Sequence, residues 1–248
     1  MIEDRTESSN TAAVVGRATE LTEISRFLDG AQPSALVLEG EPGIGKTMLW
    51  QAGVDGARER LCQVLVCRPA EAEAKLGYAA LGDLLSAVTD EHIAELDEPQ
   101  RHALDIALLR AEADDVRADP RAVSLGLLNL LRTLSASDTV VVAVDDVQWL
   151  DAASERALSF ALRRIERERV GLLVSQRVGE PGLAYERFFD GRTEWLSVGP
   201  LTASHLGEVL RERTGLQLSL HTTTRIHRVS GGNPFYGLEI ARSMRRPR

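Results

Sequence analysis

Apolar residues recur along the chain with two different periods, and the alternation of those periods predicts its architecture. Leu81, Leu84, Leu85 and Val88 follow the i, i+3, i+4, i+7 spacing of a helix that buries one stripe. The same spacing returns in Leu127, Leu130, Leu131 and Leu134, and again in Leu158, Ala161, Leu162 and Ile165. Between these stretches lie short apolar runs with strand character: Ala35 to Leu38, Val64 to Val66, Thr139 to Val144 and Gly171 to Val174, with a weaker one at Trp195 to Val198. Strands apolar on both faces that alternate with amphipathic helices imply an α/β fold, here a central, mainly parallel five-stranded sheet flanked by helices. After Pro200 the pattern is helical. Thr202 is placed to cap a helix carrying Leu206, Val209 and Leu210, and further helices are expected from about Thr222 and from Pro234.

A chain of 248 residues allows one large domain or one plus part of a second, at roughly 150 residues per domain. The polar start, 1–12, reads as a disordered tail, 13–200 as the α/β domain, and 201–248 as the start of a helical subdomain that the chain truncates. Charge marks the same change. From Asp90 to Asp119 ten acids face three arginines, whereas Thr202 to Arg248 holds eight arginines and three glutamates. A pair of solvated faces explains this, as does a second module packing on the first.

The 29 basic and 37 acidic side chains leave a formal charge of −8, which disfavours a grip on nucleic acid by this segment alone. No apolar run reaches membrane-spanning length and the first residues lack the apolar core of a signal peptide, so a cytoplasmic protein without membrane contact is expected. Cys62 and Cys67, read as buried thiols, support neither a disulfide scaffold nor a four-ligand metal site. The five histidines show no metal-ligand spacing, and a serine-hydrolase elbow is lacking.

The strongest chemical signal is Gly40-Glu41-Pro42-Gly43-Ile44-Gly45-Lys46-Thr47, followed by Met48, a complete GxxxxGK[ST] P-loop at a strand-to-helix junction. Its glycines let backbone N–H groups converge on phosphate at a helix N-terminus, Lys46 would reach the β and γ phosphates, and the Thr47 hydroxyl would ligate Mg²⁺. The apolar run ending in Asp145-Asp146 supplies the expected acids. Asp145 would hold the Mg²⁺ shell, and Asp146 would lie where a base or water-positioning group addresses the γ phosphate; a turn or helix cap is the alternative use of such a pair. Asp151 is placed to cap the helix beginning near Ala152. Arg177, at the carboxyl end of a strand, is a candidate γ-phosphate sensor or else a surface residue. Arg163 and Arg164 belong either to a solvated helix face or to a contact with a neighbouring subunit's nucleotide.

Taken in order, Val14-Val15-Gly16-Arg17-Ala18-Thr19-Glu20-Leu21, the P-loop, Val-Asp-Asp-Val-Gln-Trp-Leu-Asp, Ser-Gln-Arg and Gly232-Asn233-Pro234 resemble the motifs of STAND-class signalling ATPases from Val14 to about Ile240. Within that class Glu71 to Val88 resembles the segment after the second strand of large ATP-binding LuxR-type (MalT-like) transcriptional regulators. The resemblance implies that Val14, Val15, Gly16 and Arg17 line the nucleotide base and that Pro234 contacts adenine. Ala18 stands where a glutamate is usual, while Glu20 is retained. It further implies an ATP/ADP switch with Mg²⁺ and slow hydrolysis, self-association in the ATP state, and DNA contact only through a C-terminal domain absent from this chain. A non-hydrolysing ADP/ATP-binding structural module and a P-loop small-molecule kinase are the alternatives.

Overall fold

The computed structural model describes residues 14–30, 33–110, 118–180 and 182–244. The tail expected over 1–12, and part of the acidic run, lie outside the described residues. In chain order the elements are α1 (Ala18–Asp29), β1 (Ser34–Gly40), α2 (Lys46–Glu59), β2 (Gln63–Cys67), α3 (Ala79–Leu85), α4 (Asp90–Ala94) and α5 (Glu98–Ala107). They continue through α6 (Pro120–Ser137), β3 (Val140–Val144), α7 (Ala152–Leu162), β4 (Val170–Arg177), β5 (Thr193–Ser197), α8 (Ala203–Thr214), α9 (Leu220–Ser230) and α10 (Pro234–Ser243).

The strands form one sheet in the order β2-β3-β4-β1-β5, with every pairing parallel. Parallel neighbours need crossover connections, and the helices supply them. One face carries Val37, Leu65, Val142, Val144, Leu172 and Val174, packed in a single core with residues of α3, α5, α6 and α7. The opposite face takes α2, whose Gly53 approaches so closely that a Cβ there would lie 2.6 Å from a Leu173 methyl. Trp50 of α2 donates its indole N–H to the Leu173 carbonyl at 3.3 Å. β5 is an edge strand with Glu194 and Trp195 exposed, which explains its weak apolar signal.

Several local expectations are corrected. The helix read through Val88 ends at Leu85, although Val88 stays buried. The last strand starts earlier and ends at Ser197. Cys67 is buried in β2, but Cys62 precedes that strand and is only half-buried. In the acidic stretch, α4 and α5 bury Ile93, Ala103, Leu104 and Ile106, so their acids lie on the outer faces of packed helices.

Asp151 joins two elements that the sheet alone does not hold together. Its carboxylate caps α7 by accepting from Ala153 N (3.1 Å) and Ser154 N (2.9 Å), and it also accepts from Tyr78 N (2.8 Å) and Ala80 N (3.2 Å) at the start of α3. The residue is 2% exposed, so water does not replace those bonds. Asp151→Ala is expected to destabilise the protein by about 3 kcal/mol or more, read as a shift of the denaturation midpoint. A loss below about 1 kcal/mol would show that these N–H groups find other partners.

By contacts, Glu20–Gly199 forms one compact unit, and the described residues up to Thr19 group with those from Pro200 onward. The smaller unit has its own core of Leu201, Leu206, Leu210, Ile226 and Ala241. Thr202 caps α8 by accepting from His205 N at 3.2 Å, Ser219 caps α9, and Asn233 caps α10 with Pro234 at its first position. Gly232, at φ 78°, lies so near the Leu201 carbonyl that a Cβ would sit 2.6 Å from it, which only glycine tolerates.

Candidate functional site

The P-loop is built where β1 hands over to α2. Gly43 (φ 74°) and Gly45 (φ 110°) adopt left-handed backbone, which turns the loop tightly enough for α2 to begin at Lys46. Gly40 runs against the backbone that follows β5: a Cβ there would meet the Val198 carbonyl at 2.8 Å. Ile44 is buried and anchors the loop, while Pro42, Gly43, Thr47 and Met48 form its exposed rim. The Lys46 side chain folds back across the loop and donates to the Gly40 and Glu41 carbonyls, each at 3.0 Å. Burial lowers its pKa; Asp146 and Asp145 oppose that shift and Arg177 adds to it.

β4 lies between β1 and β3, and this order brings the acids to the loop. Asp145, at the end of β3, is buried and accepts from Ser175 Oγ of β4 and from Thr47 Oγ1 at 3.3 Å. Burial raises its pKa, with the Ser175 and Thr47 hydrogen bonds pulling the other way. Asp146 follows in left-handed conformation (φ 48°, ψ 56°), a turn geometry that aspartate tolerates. Its N–H donates to Ser175 Oγ at 2.8 Å, and its Oδ1 accepts from Gln148 Nε2 at 2.8 Å. Arg177 ends β4 in register with Gly40 of β1. Its Nε stands 3.7 Å from Asp146 Oδ1, and its guanidinium lies 5.3 Å from the centre of the Trp149 ring.

The structure therefore gathers Gly40, Pro42, Gly43, Ile44, Gly45, Lys46, Thr47, Met48, Asp145, Asp146 and Arg177 at the carboxyl edge of one sheet, where ligands of open α/β sheets bind. Val14, Val15, Gly16, Arg17 and Pro234 belong to the smaller unit. There Val14 to Gly16 form the turn before α1, with Gly16 (φ 71°) against the His205 ring, and Arg17 is buried. Arg164 donates to the Phe160 carbonyl at 2.9 Å and covers the Phe160 ring, while Arg163 is an exposed helix-end residue.

Two residues of this cluster lie in motifs quoted from the sequence but received no role there. Ser175, the first residue of the Ser-Gln-Arg motif, bridges both acids. Gln148 sits two positions after the acid it touches.

The donor set fits a hydrated magnesium ion. Thr47 and Asp145 offer hard oxygen ligands 3.3 Å apart, and the described residues hold no group of three or more His, Cys, Asp or Glu that would make an all-protein cage. Mg²⁺ is usually held that way, by one or two protein oxygens with phosphates and water completing the shell.

A parallel sheet with this P-loop and acid pair defines a P-loop NTPase fold. The sequence matches the AAA ATPase domain family over residues 13–175, and the chain belongs to that family. An uncharacterized protein of Rhizobium meliloti (strain 1021) is 27% identical over 92% of this chain, which spans 24% of that relative's length. Among solved structures, the Orc1 protein of Aeropyrum pernix in complex with DNA shares 19% identity and a TM-score of 0.50, over 94% of this chain and 62% of that one. Thermotoga maritima RuvB shares 14% identity and a TM-score of 0.51, over 93% of this chain and 62% of its own. These two likenesses concern the fold. No helix among the described residues is long and apolar enough to cross a membrane.

Proposed function

We propose that the chain is a Mg-ATP-binding nucleotide switch with slow ATP hydrolysis, the regulatory ATPase domain of a LuxR-type transcriptional regulator. The observation that carries the nucleotide part is the convergence of Lys46, Thr47, Asp145 and Arg177 on the P-loop mouth from three neighbouring strand ends. When bound, Mg-ATP supplies the phosphoanhydride bond and the cation that neutralises its phosphates. Lys46 and the loop N–H groups bind and orient phosphate, Thr47 and Asp145 hold the metal, and Arg177 faces the third phosphate. Asp146 orients water, a role for which its carboxylate is one methylene shorter than glutamate and partly engaged by Gln148. Both features favour slow turnover.

The reading of Val14 to Arg17 and Pro234 as the base-binding part of the switch rests on the resemblance of their motifs. The LuxR-type reading rests on the resemblance of Glu71 to Val88 and of the motif order. It carries with it self-association in the ATP state, a cytoplasmic location and DNA contact through a domain outside this chain. Light scattering with and without a non-hydrolysable ATP analogue tests the self-association.

Hydrolysis separates this proposal from a structural ADP/ATP binder. Asp146→Asn is expected to reduce phosphate release at least about tenfold while ATP affinity stays the same or rises. A wild type that binds ATP with no turnover to lose would favour the structural binder, and phosphoryl transfer to a metabolite would favour a kinase.

A further inference from the structure

Gln148 is placed at a physical cost that packing does not explain. Its amide nitrogen donates to Asp146 Oδ1 at 2.8 Å, while its carbonyl oxygen is buried and has no hydrogen-bond partner among the described residues. Asp146 Oδ1 is an acceptor, so this orientation of the amide is the one that serves the acid. A buried acceptor left unpaired is rare in folded proteins because desolvation is not offset. An apolar side chain of similar volume would fill the same space without that penalty.

The arrangement does have one consequence for the neighbouring cation. Gln148 Nε2 and Arg177 Nε address the same oxygen of Asp146, but only the amide is within direct hydrogen-bonding distance; the guanidinium stands off at 3.7 Å. Arg177 is held instead over the Trp149 ring, and about a third of both the Arg177 and the Asp146 side chain is exposed. Gln148 takes up one of the lone pairs of Oδ1, and the ion pair beside it is loose. Without it, Asp146 would draw the guanidinium into a short, charge-assisted pair.

We infer that Gln148 is a specificity-determining residue that sets the preference for a nucleoside triphosphate over a diphosphate, by keeping Arg177 available to the third phosphate. This rests on the nucleotide-binding reading above and goes beyond it, since Gln148 acts through Asp146 and Arg177. A ligand that lacks the third phosphate makes no demand on Arg177 and is indifferent to Gln148. The coupling between Gln148 and triphosphate exists only through the guanidinium.

Calorimetric titration with Mg-ADP and with a non-hydrolysable Mg-ATP analogue tests this on the wild type, Gln148→Leu, Arg177→Ala and the double variant, with the melting temperature of each recorded. Gln148→Leu is expected to lower the analogue-to-ADP affinity ratio by about fivefold or more, with ADP affinity held within about twofold and the melting temperature no lower. In the Arg177→Ala background the same substitution is expected to leave the ratio unchanged. Gln148→Met, which also lacks the amide, should repeat the effect and keeps the test valid should the leucine variant fold poorly. An unchanged ratio, an equal fall in the Arg177→Ala background, or a joint loss of both affinities and melting temperature would overturn the inference. A wild type that binds neither nucleotide would instead remove the nucleotide reading, and this inference with it, a result distinct from normal binding with an unaltered ratio.

Discussion

Lys46→Ala is expected to weaken ATP binding by about a hundredfold or more while leaving the protein folded, with its stability changed by no more than about 1 kcal/mol. The lysine is only 5% exposed, yet it contributes nothing to the apolar core: its ammonium group is spent on the Gly40 and Glu41 carbonyls across the loop mouth. Burial makes its charged form less favourable in the folded protein than in the unfolded chain. The unfolded chain therefore binds this proton more tightly, and the penalty is relieved only as pH rises through the lowered pKa. At neutral pH the substitution removes that penalty together with two hydrogen bonds, and the two effects oppose each other. A phosphate arriving at the loop offers Lys46 an anionic partner in place of two neutral carbonyls, so the charge is worth most in the complex. A folded Lys46→Ala protein that kept its ATP affinity would remove the phosphate role.

Asp145→Asn is expected to abolish most of the Mg²⁺-dependent part of ATP affinity, by about tenfold or more, and at the same time to raise the melting temperature at neutral pH. Asp145 is 6% exposed, and burial raises its pKa above the ordinary carboxylate value. A carboxylate whose folded pKa is raised favours folding fully below its unfolded pKa, and that contribution is lost as pH rises through the folded value. At neutral pH the ionised group is therefore a liability to the fold, retained at a position where a cation would sit. Asparagine keeps an acceptor for Ser175 and Thr47 and removes the buried charge. The stability gain should shrink as the medium is acidified, because the wild-type carboxyl is then protonated as well. Thermal melts at acid and neutral pH, with a Mg²⁺ titration of ATP binding, check both halves. A lower melting temperature with intact Mg²⁺ dependence would contradict this use of Asp145.

The parts of this molecule legible in its sequence are those with strict local periods or strict spacing. The buried strands β1, β3 and β4 and the long α6 stripe are dense in apolar residues, and the P-loop requires its glycines, lysine and threonine within eight positions. The edge strand β5 was visible only weakly, because Glu194 and Trp195 face solvent. α4 and α5 were obscured by their acidic outer faces, since a charged helix that buries only Ile93, Ala103, Leu104 and Ile106 leaves little periodic signal. The role of Ser175, though it stands in a quoted motif, was not legible for a different reason. The Ser175 contacts with Asp145 and Asp146 cross from one strand to its neighbour, over sequence separations of 30 and 29 residues, and follow from strand order. The grouping of Gly16 with His205 is likewise a property of tertiary contact and carries no local mark.

The most direct test of nucleotide binding is calorimetric titration of nucleotide-stripped protein with Mg-ATP, run in parallel on Lys46→Ala. Saturable binding near one nucleotide per chain, lost in the variant, is the expected result. Failure of the folded wild type to bind, or binding of equal strength by the variant, would contradict the assignment of the P-loop as the phosphate site.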